Sequence, residues 1–267
     1  MSDVYRDSGT VGIVQFQDVL RRMKRHYDVL DLPEFLATRG APRLRPALVF
    51  TFDDGYEDNL LAAVLLRREG IPCTFFVSTR IVGDGDAAFP HDRLMYGHRV
   101  PTLSWEQVRR MARWGFHFGN HTAHHANLGL ISPVEAVDEI ATGSADLGRE
   151  LGHDAPGLRL LAYPYGKPED ITEAVRDRLP SLGISHCFSA YGGTNPPAFD
   201  VRDVRRQNVD CHFSALRLLA AVEGWSPQYR RKQVRSARSA PAFPRLWNAP
   251  VPRRVGQNNP AATEAVR

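Results

Sequence analysis

The chain has 267 residues, of which 43% are hydrophobic and 24% charged, a composition typical of soluble globular proteins. Its formal net charge is +4, but residues 226–267 carry nine Lys or Arg and one acid, a net +8, which leaves −4 for residues 1–225. We therefore expect one folded domain over residues 1–225 and a basic, Pro-containing, disordered tail over residues 226–267. Because the basic charge lies in the tail, which we expect to contact anionic surfaces if it binds anything, the domain is not predicted to bind nucleic acid.

The chain has three cysteines, Cys73, Cys187 and Cys211. They are odd in number and form no CxxC pair, so they give no sign of a disulfide framework or a zinc knuckle. No charged start followed by an apolar stretch indicates a signal peptide, and no apolar run is long enough for a transmembrane helix. The sequence as written predicts a cytoplasmic protein; an extracytoplasmic location would require a start upstream.

Strand-like apolar runs alternate with helical patterns along the first part of the chain. Residues 16–28 have helical spacing, and the run 47–52 predicts a buried strand that ends at Asp53. A helix is expected over 58–69, and a second buried strand over 73–78.

The same alternation continues to residue 222. Ser104 is a predicted N-cap, and Gln107 stands where it completes a capping box. Ser132 and Pro133 are predicted to open another helix, with Glu135 in its first turn, that runs to about Leu151. The further predicted segments are strands at 116–120, 158–164 and 184–190, a helix at 169–180, and a strand and helix over 204–222. This order predicts a parallel sheet or barrel with helices outside.

Polar residues follow three of the predicted strands, at the end where α/β enzymes carry their chemistry. Asp53 and Asp54 end one strand, His121 ends another, and residues 163–166, with sequence YPYG, end a third. We expect these three groups to converge on one site.

The adjacent carboxylates of Asp53 and Asp54 should point to different sides, because successive strand side chains alternate. One carboxylate can then bind a metal while its neighbour faces a substrate. A DDG sequence is also common as a plain strand-to-helix turn, so this motif alone leaves both interpretations open.

His121 and His125 are spaced i,i+4, which would place both imidazoles on one face of a helical turn where they can bind one metal ion. Thr122 stands where a zincin would have its glutamate base, so the base must come from Asp53 or Asp54. Two imidazoles and one carboxylate leave an open coordination position and suit one divalent ion, with zinc favoured.

TFDDG at 51–55, HTxxH at 121–125 and the later YPYG turn together resemble the polysaccharide deacetylases of carbohydrate esterase family 4, the NodB-homology domain. The resemblance covers residues 12–222 and implies a distorted (β/α) barrel with a metal site in a groove at the strand ends. It would make residues 1–225 the catalytic domain.

The resemblance also implies roles for individual residues. Asp53 corresponds to the general base, and Asp54, His121 and His125 to the metal ligands. Thr122 would orient the histidine turn through a hydrogen bond from its side chain.

The resemblance implies further roles for the YPYG turn, which is the third motif, and for a later arginine. The backbone N–H of Tyr165 would polarise the acetyl oxygen, with Tyr163 and Pro164 contacting substrate. Arg206 resembles an arginine that pairs with the catalytic aspartate and keeps it ionised, with Arg205 as the alternative register.

The chain departs from the family pattern in three places. The arginine that many members carry ahead of the third motif is missing, since Arg159 lies too far upstream, and this favours a YPYG branch that acts on exported or capsular polysaccharides. The expected acid histidine near the N-terminus and the C-terminal leucine–histidine motif are also missing. His212 is the remaining candidate acid, unless the acid lies upstream of the sequence given.

The resemblance implies metal-dependent hydrolysis of N-acetyl groups on N-acetylhexosamine units of an oligo- or polysaccharide. Two alternatives stay open. One is another C–N hydrolase on the same scaffold, such as a deformylase or amidase. The other is a metal-containing carbohydrate-binding protein with weak or no turnover, which a missing acid would produce.

Overall fold

The computed structural model describes residues 12–84, 87–89, 91–92, 97–209 and Leu219. Every described residue belongs to one compact unit, Met1–Tyr229. His212, Cys211 and the predicted basic tail at 226–267 lie outside the described residues.

A five-stranded parallel sheet forms the centre of the molecule. Its strands follow chain order from one edge to the other, so each helical connection returns the chain to the same end of the sheet. The strands are β3 (Phe50–Phe52), β4 (Cys73–Val77), β5 (His117–Asn120), β6 (Leu160–Ala162) and β7 (His186–Phe188). A separate parallel pair joins β1 (Asp28–Val29) to β2 (Ala47–Leu48). The predicted parallel α/β architecture, a curled half-barrel of the distorted (β/α) type, is confirmed.

Helices connect the strands and cover the sheet. They are α1 (Ile13–His26), α2 (Leu32–Ala37), α3 (Asp58–Glu69), α4 (Trp105–Arg113), α5 (Pro133–Leu151) and α6 (Glu173–Arg176). Ser104 and Gln107 form the predicted capping box, and the structure shows a second one formed by Ser132 and Glu135. Among these described helices, none is long and apolar enough to cross a membrane.

The core packs against both faces of the central strands, as expected for a covered parallel sheet. All five residues of β4 are buried. Phe75 stacks on Phe52 and Phe118 on one face, while Phe76 contacts Phe188 on the other. The central sheet fixes the ends of β3, β5 and β6, where the predicted polar groups lie.

Two predicted segments differ from the observed ones. The helix predicted over 169–180 is broken into a 3-10 turn at Pro168–Asp170, α6 and a second 3-10 turn at Leu179–Leu182. Ile171 leaves the helical path because it forms a parallel bridge with Leu128. The single strand predicted over 47–52 is divided at Val49 between two sheets.

The segment after β7 is a single bridge, Phe188 to Val204, within the range predicted to form a strand. Two residues further on, the side chain of Arg206 reaches from β7 to the end of β3. It therefore lies across the gap between the two edge strands of the half-barrel.

Candidate active site

The turn after β3 directs its two aspartates to different sides. Asp54 has a φ of 73°, and the following Gly55 a φ of 94°. A Cβ at Gly55 would lie 2.7 Å from Val82 Cγ2 and 3.0 Å from Val77 Cγ1, so a side chain there would clash as well as strain the backbone. Because of this turn, Asp53 and Asp54 contact different partners, as the strand alternation predicted.

The turn that carries His121 and His125 is not helical, so the prediction that both share one face of a helical turn is wrong. Thr122 and His125 have φ values of 65° and 59°, in the left-handed region that interrupts a helix. Asn120 stabilises this path, since its Oδ1 accepts the Thr122 N–H at 2.7 Å.

Thr122 does not orient the turn through its side chain, as the resemblance had implied. Its hydroxyl is buried and has no hydrogen-bond partner within the described part of the chain. The side-chain-to-backbone hydrogen bond comes from the preceding Asn120 instead. The positive φ of Thr122 is therefore stabilised by the Asn120 side chain, two residues earlier.

Asp54, His121 and His125 form a cluster that could hold a metal ion, with one ligand atom of each residue within 4.8 Å of the others. Nε2 of His121 lies 3.2 Å, and Nε2 of His125 lies 3.1 Å, from the same Asp54 Oδ1. Ligand atoms that bind one tetrahedral zinc ion at about 2 Å lie about 3.3 Å apart, so the spacing fits such an ion.

Hydrogen bonding prepares His121 for this role. Its Nδ1–H donates to the Ala162 carbonyl at 2.6 Å, which leaves the Nε2 lone pair free to bind a metal. Both histidine side chains are almost completely buried, at 3% and 5% exposure for His121 and His125, whereas that of Asp54 is 24% exposed. The imidazoles are therefore shielded from solvent, which reaches the cluster at the carboxylate.

The electrostatics of the cluster favour an ionised Asp54. Burial raises the pKa of this carboxyl, but the hydrogen bonds and positive charge that His121 and His125 supply when protonated outweigh burial and hold the pKa well below its usual value. At His121, burial alone would lower the pKa, but the hydrogen bond with Asp54 outweighs burial and the pKa is raised. At His125, burial outweighs the hydrogen bond with Asp54 and the pKa is lowered. An ionised carboxylate is the form that binds metal.

Asp53 makes a two-pronged ion pair with Arg206. The Arg206 guanidinium donates from NH1 to Asp53 Oδ1 at 2.6 Å and from NH2 to Oδ2 at 2.7 Å. Its Nε–H donates to the Ser189 carbonyl at 2.8 Å, and the guanidinium lies over the Phe76 ring. The alternative register is excluded, because Arg205 is exposed and lies over the Tyr191 ring.

The YPYG turn places its two tyrosines differently. Tyr165 is 36% exposed, and its ring lies 5.0 Å from that of His125, so it borders the metal cluster. Its backbone N–H, predicted to point at an acetyl oxygen, has no hydrogen-bond acceptor among the described residues. A Cβ at Gly166, where φ is 72°, would lie 2.4 Å from Ala190 Cβ, so glycine is required there.

The prediction that Tyr163 contacts substrate is wrong for its side chain. That side chain is 1% exposed and packs in the core, where its hydroxyl donates to the Gly166 carbonyl at 3.3 Å. Tyr163 follows β6 with its ring directed inward, so it supports the turn from beneath. Pro164 is also buried, next to the exposed Tyr165.

Sequence reasoning did not identify a group in the loop after β4 that borders the same site. Phe89 and His91 both contact the His125 ring, at centroid distances of 5.2 and 5.5 Å. Asp92, in the same loop, is completely buried and accepts a hydrogen bond from the Tyr56 hydroxyl at 2.7 Å. The aromatic and polar residues at 89–92, with sequence Phe-Pro-His-Asp, could have indicated this group. A loop, however, has no periodicity from which the direction of each side chain can be predicted.

Backbone strain is concentrated at this site. Within the described residues, the non-glycine positions with positive φ are Asp54, Thr122, His125 and Tyr165. Each costs of order 1–3 kcal/mol and persists only where the surroundings determine it. All four belong to the turns that carry the metal cluster and its rim.

Comparison with known proteins agrees with this geometry. A family model described as "Polysaccharide deacetylase" matches residues 41–186, more than half of the chain. The chitooligosaccharide deacetylase of Bradyrhizobium sp. (strain ANU 289) is 30% identical over 122 residues, which are 45% of this chain and 46% of that protein. The match thus spans about half the length of this curated relative.

Solved structures share the fold. The Streptococcus pyogenes deacetylase PplD, in complex with acetate, superposes with a TM-score of 0.69 at 20% identity, over 83% of this chain and 92% of that chain. IcaB from Ammonifex degensii gives a TM-score of 0.61 at 25% identity, over 78% and 87% of the two chains. On the family match, and with this fold and cluster, the chain belongs to the polysaccharide deacetylase family.

Proposed function

We propose that this protein is a zinc-dependent hydrolase that removes N-acetyl groups from N-acetylhexosamine units of an oligo- or polysaccharide. The observation that carries the proposal is that the turn after β3 places two adjacent carboxylates in two different groups of side chains. Asp54 lies with His121 and His125 in a metal-binding cluster, while the adjacent Asp53 is held by Arg206. A deacetylase needs such a base beside such a cluster.

Asp54, His121 and His125 would hold the ion. Two imidazoles and one carboxylate leave an open position, and when bound there zinc supplies Lewis-acid polarisation of the acetyl carbonyl and lowers the pKa of water. Zinc is favoured because it accepts mixed nitrogen and oxygen ligands in a tetrahedral arrangement.

The remaining roles belong to the protein. Asp53 accepts the proton of the attacking water, and Arg206 fixes the orientation of that carboxylate through two parallel hydrogen bonds. The Tyr165 N–H donates to the oxygen that gains negative charge as the acetyl carbon becomes tetrahedral. Tyr165 forms the rim that the acetylated sugar contacts, and the YPYG sequence supports, as part of this proposal, a place for the chain in the YPYG branch of the family.

The relative's name suggests a first substrate to test. We expect the purified, zinc-loaded full chain to release acetate from N-acetylated chitooligosaccharides, and to release none after chelation until zinc is restored. A matched panel of N-formyl saccharides and small amides tests a deformylase or amidase. Saccharide binding without acetate release at saturating zinc would contradict the proposal and indicate a binding protein.

A further inference from the structure

The two proposed histidine ligands differ in how their second ring nitrogen is bonded. His121 Nδ1–H donates to the Ala162 carbonyl. His125 presents Nε2 to the cluster in the same way, but its Nδ1 is buried and has no partner in the part of the chain that the structure describes. Metal-bound histidines almost always donate this second N–H, so the His125 N–H lacks an expected acceptor.

A second imidazole, which could supply the acceptor that the His125 N–H lacks, lies against the His125 ring. His91 contacts His125 with ring centroids 5.5 Å apart and planes inclined by 53°. Its Nδ1 is likewise buried without a partner among the described residues. Because neither nitrogen has a hydrogen-bond partner among the described residues, the two rings are not bonded directly, and one bridging water would join them.

The hydrogen bonds on the far side of His91 determine which of its nitrogens can accept. Asp92 is completely buried, and its carboxylate accepts the single hydroxyl hydrogen of Tyr56 at 2.7 Å. The Tyr56 oxygen, which lies 3.0 Å from His91 Nε2, is then left to accept from it. His91 therefore carries its hydrogen on Nε2 and offers a lone pair at Nδ1.

The Phe89 ring packs against both His91 and His125 and stabilises their relative position. Phe89 is 1% exposed and contacts three rings, those of Tyr56, His91 and His125, at centroid distances of 4.8, 5.5 and 5.2 Å. The loop after β4 is thereby joined to the histidine turn after β5. A change at His91 would then be transmitted to His125 without any contact between His91 and the metal-binding atoms.

We propose that His91 is a positioning residue for the metal site: its Nδ1 accepts the Nδ1–H of His125 through one water, and the Tyr56–Asp92 hydrogen bond fixes the ring that does so. This inference rests on the proposed function, since it assumes that His125 binds zinc. It assigns the Tyr56–His91–Asp92 group, which the family match does not assign, to support of a ligand. Outer partners of this kind typically change metal affinity about 10–100-fold.

The test is the zinc dissociation constant of the full chain, measured by competition with a chromophoric chelator. We expect His91→Phe, which keeps a ring but removes the acceptor, to weaken zinc about 10–100-fold. His91→Asn, whose amide oxygen can accept the same hydrogen, should recover most of the affinity. Tyr56→Phe should produce a smaller loss, because it frees the His91 ring without removing Nδ1.

His124→Phe is the matched control, because His124 is exposed and pairs with Glu139 outside the cluster. It should bind zinc like the unaltered chain. Absorption spectra of the cobalt-substituted proteins add a readout of ligand geometry that a general loss of stability would not move. We expect an altered spectrum for His91→Phe and an unaltered one for His124→Phe.

Wild-type zinc affinity and cobalt spectrum in folded His91→Phe would overturn the inference and leave the proposed function intact. Equal losses in the Phe and Asn variants would also overturn it, because the acceptor would then not matter. Failure of the unaltered chain to bind zinc would overturn both this inference and the proposed function.

Discussion

Arg206 and Asp53 are 153 residues apart in sequence and form two parallel hydrogen bonds, of 2.6 and 2.7 Å, across the open side of the half-barrel. The same guanidinium also donates to Thr51 Oγ1 in β3 and to the Ser189 carbonyl after β7. One side chain thus joins the two edge strands and fixes the proposed base. The orientation of the Asp53 carboxylate therefore depends on the contact that Arg206 makes between the two edge strands.

Arg206→Lys tests this relationship. Lysine keeps the charge but has no planar fork, so it cannot hold both Asp53 oxygens and the Ser189 carbonyl together. We expect acetate release to fall about 10²-fold, the cost of a misplaced catalytic group, with zinc affinity unchanged.

Arg205→Lys is the control for this prediction. Arg205 is exposed and lies over Tyr191, away from Asp53. Its replacement should leave the rate unaltered. Equal rates for the two variants would show that the two-pronged pair does not serve catalysis.

Gly143→Ala in α5 should disturb the histidine turn from a distance. The added Cβ would lie 2.4 Å from Asn120 Oδ1, the atom that accepts the Thr122 N–H. We expect a loss of about 1–3 kcal/mol in unfolding free energy, as for other overpacked sites, together with weaker zinc binding. Urea unfolding in the presence of chelator and a zinc titration measure the two effects separately.

Gly148→Ala in the same helix is the matched control. There the Cβ would meet the ring of His153, an exposed side chain that can move away. Replacing a helical glycine by alanine then stabilises by up to about 1 kcal/mol. The account of the turn would fail if both variants bound zinc like the unaltered chain.

The cysteines offer a prediction about reactivity. Burial raises the pKa of Cys187 to about 12. Burial, reinforced by the charge of Asp53, also raises the pKa of Cys73 well above its usual value. Both thiols therefore stay protonated near pH 8, and protonated thiols are poor nucleophiles.

Cys211→Ser isolates these two thiols. The native variant should react negligibly with a disulfide reagent at pH 8, whereas both thiols should react after unfolding in guanidinium. Rapid modification of the native protein would contradict the burial of β4 and β7, which contain these cysteines.

The sequence was sufficient to predict the parallel sheet, the capping box at Ser104 and the convergence of Asp54, His121 and His125, because each depends on local pattern or on where strands end. It also favoured Arg206 over Arg205, as a matter of resemblance.

The sequence did not predict how the histidines converge. An i,i+4 spacing favours a helix, but the left-handed backbone at Thr122 and His125 depends on the Asn120 side chain and on packing against α5. Nor could it place Tyr163 or His91. Whether a ring at a strand end or in a loop faces the core or the groove is decided by tertiary contacts, which carry no sequence period.

The central claim is that adjacent aspartates have separate roles, with Asp53 the base and Asp54 a metal ligand. The most direct test compares Asp53→Asn with Asp54→Asn, measuring zinc affinity and acetate release on the same preparations. We predict that Asp53→Asn binds zinc like the unaltered chain and loses acetate release about 10²–10⁴-fold, while Asp54→Asn, like His121→Ala, loses both. Full acetate release by Asp53→Asn, or unaltered zinc affinity in Asp54→Asn, would contradict the account.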